Sequence, residues 1–374
     1  MSEKFTREYL SELQSYPLEV KVQLTKQRIR EWVHRWGEDG VYIAFSGGKD
    51  STVLLDIARQ EYPDMVAVFV NTGLEFPEIV QFVKQFENVE IIRPSMNFKQ
   101  VIQKYGYPFI SKEVSGIVGG GWKTLKQLES EGYDISDRHV VVQQCKNRLK
   151  KERGEWRRLA QCIGAITKDN VVKDTLSKEE KGMYSDIPQR YKYMLNAPFP
   201  ISDRCCSVMK KTPVHKYMKE TGRVQITAQL AEESRLRRAE WLKHGCNAFD
   251  TSHPTSNPMS FWTGQDVLKY IKMNGIQIAS VYGDVVYVDD DGMTYDMAIG
   301  GNATLTTTGM KRTGCMFCGY GCQFEAIGDG RFEKMKVTHP KIYDYIMRPW
   351  DEGGLNYKNV IDWINENGNL NIKY

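Results

Sequence analysis

The sequence predicts an α/β protein whose core is a doubly wound, mostly parallel sheet, followed by a smaller C-terminal region that contains cysteines. Three observations carry this prediction. Short apolar runs of strand type alternate with helical patterns between residues 41 and 92, the arrangement of a parallel sheet covered on both faces. A Gly-Gly turn joins the first of these strands to the helix after it. Polar residues of ligand-binding type follow the first two strands, at the carboxyl ends where such sheets bind ligands.

The chain has 374 residues, enough for two or three domains. Charged residues make up 26% and apolar types 41%, an ordinary globular composition. With 51 Lys and Arg against 47 Asp and Glu the net charge is +4, too small to argue by itself for nucleic acid. The longest pure apolar run is Met65–Val70, against about 20 residues needed for a membrane span. The first residues, Met-Ser-Glu-Lys, show no apolar core of a signal peptide. The eight cysteines are therefore expected to be thiols or metal ligands of a cytoplasmic protein rather than a disulfide framework.

In chain order, residues 1–38 read as a helical segment with a stripe of Val22, Leu24, Ile29, Trp32 and Val33, ending near Gly37 and Gly40. A nucleotide-binding domain is expected over 39–250. Its strands are Val41–Phe45, Met65–Val70 and Val89–Ile92, and helices fall at Thr52–Gln60 and Ile79–Phe86. The stretch 111–200 reads as an insertion, with a loop at Gly119-Gly-Gly121 and a basic run Lys146–Arg158. A helix at Pro213–Thr221 and a strand at Val224–Ala228 resume the pattern. The C-terminal region, 251–374, opens with the polar linker Ser252–Pro258. It continues with a helix near Gly264–Met273 capped by Thr263 or Ser260, a hairpin at Val285–Met297 turning at Asp291-Gly292, the cysteine cluster, and a mainly helical tail.

Ser46-Gly-Gly-Lys-Asp-Ser51 lies between a buried strand and a helix start. Gly47 and Gly48 allow a sharp turn that aims backbone N–H groups at a ligand. The following helix adds unpaired N–H groups and the positive end of its dipole, which together make an anion site. Ser46 and Ser51 can donate hydroxyls, Lys49 supplies a mobile positive charge, and Asp50 makes sense if Mg²⁺ bridges it to a nucleotide. The pattern GxxxxGK[ST] is absent.

In this setting Ser-Gly-Gly-x-Asp-Ser resembles the PP-loop of the N-type ATP pyrophosphatases, a superfamily that includes the phosphoadenosine phosphosulfate (PAPS) reductases. The resemblance implies an adenine nucleotide alpha-hydrolase-like fold. Asn71-Thr-Gly-Leu-Glu-Phe-Pro-Glu78 is similar to the reductases' Asp-Thr-Gly-x-x-Phe-Pro-Glu, with Asn71 in place of Asp. Thr72 and Gly73 would then lie against the adenosine. Glu233-Ser-Arg-Leu-Arg-Arg238 resembles Gly-x-Arg-x-x-Glu-Ser-x-x-Arg: Glu233, Ser234 and Arg237 match, whereas Ala228 and Leu230 replace the Gly and one Arg. Arg237 and Arg235 are the remaining candidates for phosphate or sulfate.

Cys205-Cys206 and the distant Thr313-Gly-Cys315-Met-Phe-Cys318-Gly-Tyr-Gly-Cys322 resemble the iron–sulfur class of these reductases. The resemblance implies a 4Fe–4S cluster on Cys205, Cys206, Cys315 and Cys318. Zinc is the alternative for four thiolates. Cys322 is an extra thiol that would replace a ligand or take part in chemistry, and Cys145, Cys162 and Cys246 read as buried thiols. No cysteine follows Cys322, so the C-terminal catalytic cysteine of the reductases has no counterpart in this sequence. Trp262, Asp266, Val267 and Tyr270 also match a family helix, and a structural role is expected for them.

The expected function is that of a PAPS reductase-like enzyme that binds ATP or an adenylyl sulfate. It would act at the α-phosphate, adenylating an acceptor with pyrophosphate release in sulfur transfer or nucleic-acid modification. Lys49, Asp50, Arg237 and Cys322 are the catalytic candidates. The competing expectations are true PAPS or adenylylsulfate reduction to sulfite, and a non-catalytic nucleotide-sensing or nucleic-acid-binding subunit. The basic run Lys146–Arg158 reads either as an exposed helix or as a nucleic-acid contact. Beyond the nucleotide, the expected partner is a nucleic acid or a sulfur-donor protein, in a homo-oligomer or a multi-subunit system.

Overall fold

The computed structural model describes residues 5–149, 153–163, 187–297 and 304–374. Residues 150–152 of the basic run and 164–186 of the expected insertion lie outside the described residues. The chain forms two compact units, each assembled from two segments: Met1–Ser95 with Thr212–Cys315, and Met96–Lys211 with Met316–Tyr374.

The first unit is built on a six-stranded sheet. Its strands are β1 (Val41–Ala44), β2 (Ala67–Val70), β3 (Val89–Ile92), β4 (Val224–Ile226), β5 (Asn247–Ala248) and β6 (Thr255–Ser256), in the spatial order β3-β2-β1-β4-β6-β5. Every neighbouring pair is parallel except β5 with β6. Ile43 of β1 pairs with Ala67 on one side and Ile226 on the other. Tyr42 and Ala44 share one face of β1, and Tyr42 and Val68 pack there with Tyr217 and Met218 of the helix Thr212–Thr221. Val41 and Ile43 point the other way and are also buried. The helix Lys49–Glu61 packs on β1 and on the helix Leu18–Trp36, burying Val53, Leu54 and Ile57. Burial on both faces is why β1 and β2 read as continuous apolar runs rather than alternating ones. The α/β, mostly parallel, doubly wound architecture expected from the sequence is the one found.

The N-terminal segment forms two helices, Arg7–Ser15 and Leu18–Trp36, broken at Pro17, a residue that fixes its own φ and disfavours helix before it. The buried side of the second helix is Leu18, Lys21, Thr25, Ile29, Trp32 and Val33. Val22 and Leu24 of the expected stripe are only half-buried. Two polar residues take inward positions because each has a partner: the Lys21 ammonium donates to Asp266 at 2.6 Å, and the Trp262 indole N–H donates to the Thr25 hydroxyl at 2.9 Å. Thr263 caps the helix Gly264–Asn274 in a reciprocal capping box with Asp266.

The hairpin forms at Val285–Val288 and Thr294–Tyr295, where Asp289 accepts from the Met293 and Asp291 N–H groups. A third strand, Thr304–Thr307, joins it antiparallel, an element not read from the sequence. The loop expected at Gly119-Gly-Gly121 is instead the middle of the helix Lys112–Ser130. Its glycines serve close packing. A Cβ at Gly119 would lie 2.5 Å from the Ile201 carbonyl oxygen, and one at Gly121 would lie 2.9 Å from the Cys162 sulfur.

The second unit is mainly helical. The helix Lys112–Ser130 packs against the helix Arg153–Ile163, and a short parallel pair joins Phe109–Ile110 to Gly319–Tyr320. Tyr357, fully buried at the start of the helix Tyr357–Gly368, has its ring among those of Tyr107, Phe109 and Phe332. The helices Arg331–Thr338, Pro340–Met347 and Tyr357–Gly368 make up the expected helical tail.

Candidate functional site

The six-residue loop after β1 is closed by its own atoms. The Ser51 hydroxyl accepts from the Ser46 N–H at 3.2 Å, donates to the Gly48 carbonyl at 2.9 Å, and lies 3.0 Å from the Ser46 hydroxyl. The Gly48 N–H donates to the Ser46 hydroxyl at 3.3 Å. Gly47 has φ +69°, and a Cβ there would lie 2.7 Å from a methyl of Val83 and 2.8 Å from one of Ile79. Both conformation and space therefore demand glycine. Lys49 opens the helix, with Gly48 as its cap residue and no side chain capping it. Its ammonium lies 3.3 Å from the Asp50 carboxylate.

Around this loop the first unit forms a cavity of about 380 Å³. Lys49 and Asp50 line it with Leu230, Glu233, Lys311 and Arg312. Glu233 is the hub of its charged wall: it pairs with Arg237 and, at 2.8 Å, with Arg312. Burial, then the neighbouring Arg312, pull the Arg237 guanidinium below its ordinary value, and Asp50 opposes this. Ser234 caps the helix Arg235–His244 by accepting from the Arg237 N–H at 3.2 Å. Arg235 is exposed and does not line this cavity.

Beyond β2, Asn71 makes a turn by accepting from the Gly73 N–H at 3.1 Å, with Gly73 at φ +74°. The Thr72 hydroxyl and N–H both donate to the Glu75 carboxylate, at 2.8 and 2.9 Å. The turn is thus rigid before any ligand contacts it.

Four contributors to the site were missed in the sequence. Tyr282 is buried and accepts from the Lys49 N–H at 3.3 Å, and its hydroxyl lies 2.5 Å from that of Thr313. Lys311 and Arg312 stand on the cavity wall. The triplet Lys311-Arg312-Thr313 directly precedes Gly314-Cys315, which was the available signal. Nothing local marks Tyr282.

The second unit brings distant cysteine segments to one short strand. Tyr107 bridges Ile201 and accepts from the Ser202 N–H, which anchors the segment before Cys205. Ile110, at φ +67°, accepts from the Gly321 N–H at 2.9 Å and from the Gln323 side chain at 3.2 Å, a strained backbone for a β-branched residue. Arg331 donates to the Cys318 carbonyl at 2.6 Å, and the Tyr357 hydroxyl donates to that of Phe317 at 2.6 Å. The Cys205 and Cys206 sulfurs are 3.9 Å apart. The hydrogen bond from Cys205, helped by Lys112 and Lys210 against the opposing effect of burial, pushes the Cys206 thiol down to about 6. Burial, together with the nearby Cys206, pushes Cys318 up. Cys322 donates to the Gly319 carbonyl at 2.9 Å, and burial pushes it up to about 12.

Cys205, Cys206, Cys318 and Cys322 therefore belong to the second unit, and Cys315 to the first. Among the described residues no three His, Cys, Asp or Glu side chains are grouped to hold a metal ion. All eight cysteines are free of disulfides.

In the basic run, Arg148 pairs with Glu131 and lies over the Trp156 ring, and Arg158 donates to the Gly116 carbonyl. Among the described residues no helix is long and apolar enough to cross a membrane.

A mostly parallel α/β sheet with a glycine-built loop after its first strand opens on a cavity of basic and acidic side chains. The model of the phosphoadenosine phosphosulfate reductase domain matches residues 40–115 and 160–329, and the chain belongs to this family. An uncharacterised protein of Methanocaldococcus jannaschii is 37% identical over 70 residues, which are 17% of this chain and 17% of that protein. The adenosine 5'-phosphosulfate reductase of Staphylococcus haemolyticus is 29% identical over 83 residues, 21% of this chain and 34% of that enzyme. The chain thus matches about a third or less of the length of these relatives. The crystal structure of a phosphoadenylyl-sulfate reductase from Candida auris, in a phosphate complex, superposes with a TM-score of 0.34 at 13% identity, covering 75% of this chain and 92% of that one.

Proposed function

We propose that this chain is an enzyme that binds ATP or an adenylyl sulfate at Ser46–Ser51 and acts at the α-phosphate. An oxygen of the acceptor forms a bond to the α-phosphorus, the bond to pyrophosphate breaks, and an adenylated acceptor is left for sulfur transfer or nucleic-acid modification. The observation that carries this reading is the preformed anion loop opening on a cavity lined by Lys49 and Asp50. The loop N–H groups and Lys49 would hold the charge that develops on the α-phosphate and on the leaving pyrophosphate. Asp50, about a quarter exposed, is the residue that would hold Mg²⁺, which neutralises nucleotide charge when bound. Asn71, Thr72 and Gly73 would contact the adenosine. Glu233, Ser234 and Arg235 belong to the same proposed set, with Ser234 positioning Arg237. The protein would work in the cytoplasm with a nucleic-acid or sulfur-donor partner.

The test is a product assay with ATP and with PAPS, in the presence of candidate acceptors and thiol donors. AMP and pyrophosphate from ATP, lost in Lys49→Ala, support the reading. Sulfite from PAPS or adenylyl sulfate would establish the second reading, reduction, which the similarity to the staphylococcal enzyme favours. Nucleotide binding without turnover would make the chain a sensor. Metal content is a separate question. A cluster on Cys205, Cys206, Cys315 and Cys318, or zinc in its place, is decided by iron, sulfide and zinc analysis of anaerobically purified protein, and no step above depends on it.

A further inference from the structure

Glu233 holds two guanidinium groups at once. Its Oε1 accepts from Arg312 at 2.8 Å, its Oε2 pairs with Arg237, and the same carboxylate accepts from the Leu230 N–H at 3.2 Å. Three hydrogen-bonded contacts pin the carboxylate at the edge of the cavity that Lys49, Asp50, Lys311 and Arg312 also line. The trio of Glu233 and two arginines keeps a net charge of +1; Glu233 and Arg312 line that space, and Arg237 reaches it through Glu233 from a neighbouring cavity. Stability does not account for Arg312, because its side chain is 67% exposed and exposed ion pairs contribute little. Arg237 is half-buried with a second guanidinium near it, and both lower its guanidinium below the ordinary value. A rigid fork of N–H donors matches the oxygens of phosphate or sulfate as well as it matches a carboxylate.

We propose that Arg312 and Arg237 form a clamp for the tetrahedral oxyanion that a nucleotide carries beyond its α-phosphate, and that Glu233 fills the clamp until this group displaces it. The clamp rests on the nucleotide reading above and adds Arg312 as a specificity-determining residue. The oxyanion is the diphosphate tail of ATP or the sulfate of an adenylyl sulfate. AMP has neither.

Calorimetric titration of the full chain with ATP, adenylyl sulfate and AMP tests the clamp. Arg312→Ala should weaken ATP or adenylyl sulfate by about tenfold to a hundredfold, the size of one or two lost charge-assisted hydrogen bonds, and leave AMP unchanged. Loss confined to ATP identifies the diphosphate as the clamped group, and loss confined to adenylyl sulfate identifies the sulfate. Arg312→Lys should lose less than Arg312→Ala. Glu233→Gln, which keeps an acceptor for the Leu230 N–H but frees both arginines, should tighten the same ligand. A merely structural ion pair predicts no such opposite effects. Equal weakening of AMP and the longer ligand by Arg312→Ala, or weaker binding in Glu233→Gln, overturns the clamp alone. A wild-type chain that binds none of the three, with Lys49→Ala no different, overturns the nucleotide reading and the clamp together.

Discussion

The Ser46–Ser51 loop of the first unit comes from six consecutive residues, whereas the cysteine segments of the second unit meet because Tyr107–Ile110 gathers 201–206 and 317–323 onto one short strand. The loop is made largely of backbone and is closed by its own serines, so its shape is in place once β1 and the next helix form. The cysteine region is made of side chains, and there a hydrogen bond from Cys205 overrides burial at Cys206 while burial wins at Cys318 and Cys322. Cys206 is pushed down while Cys318 and Cys322 are pushed up. A segment built locally takes its shape from its neighbours in sequence, and one built over long range depends on packing throughout its unit.

The largest expected effect tests the local side of this contrast. Gly47→Val places a branched Cβ against Val83 and Ile79 in a left-handed conformation. It should cost about 2–4 kcal/mol and abolish nucleotide binding. An unchanged urea midpoint would show that the loop is softer than its contacts imply.

Tyr357→Phe probes the other side. It removes the hydrogen bond that the fully buried Tyr357 hydroxyl donates to the Phe317 carbonyl at 2.6 Å, and should destabilise by about 1–3 kcal/mol. Equilibrium unfolding reads the loss. A neutral result would mean that the cysteine loop is not held through this residue.

The pH dependence sharpens the comparison further. Carboxymethylation of Cys206 in metal-free protein should accelerate as pH rises through about 6, while Cys145 and Cys322, both pushed up to about 12, stay slow. A thiol whose folded value lies below its ordinary value near 9 favours the folded state most above pH 9. That contribution falls away as pH drops to about 6. Cys206→Ser should therefore flatten the rise of stability between those pH values, and a retained slope would assign it to another group.

The smallest effect is expected for Ser51→Ala. The hydroxyl links the Ser46 N–H to the Gly48 carbonyl, and its loss should cost about 1 kcal/mol while weakening nucleotide binding measurably. Titration calorimetry and thermal melting together separate the two effects.

Much of the fold was legible because its signals are local. β1 and β2 are apolar runs, and Thr263 with Asp266 is a capping pattern three residues apart. What escaped was decided by contacts. Gly119–Gly121 carries the composition of a loop, yet it lies in a helix because Ile201 and the helix Arg153–Ile163 approach too closely for side chains. Lys21 looks like a surface residue until Asp266 is placed beside it. At the site, Ser46–Ser51 and Glu233 were readable as motifs. Tyr282 was not, since only tertiary packing brings its hydroxyl to the Lys49 N–H.

By itself the sequence determined the strand–loop–helix unit, the turn after β2 and the spacing of the cysteines, because backbone conformation over a few residues follows from glycine, proline and capping side chains. Tertiary structure decided the rest. It brought Lys311 and Arg312 to the wall beside Leu230, gave Glu233 two arginines to hold, and set Cys206 apart from Cys318 and Cys322. These outcomes depend on the distance between charges and on the water removed around them, and both are known only after segments far apart in the chain have packed together.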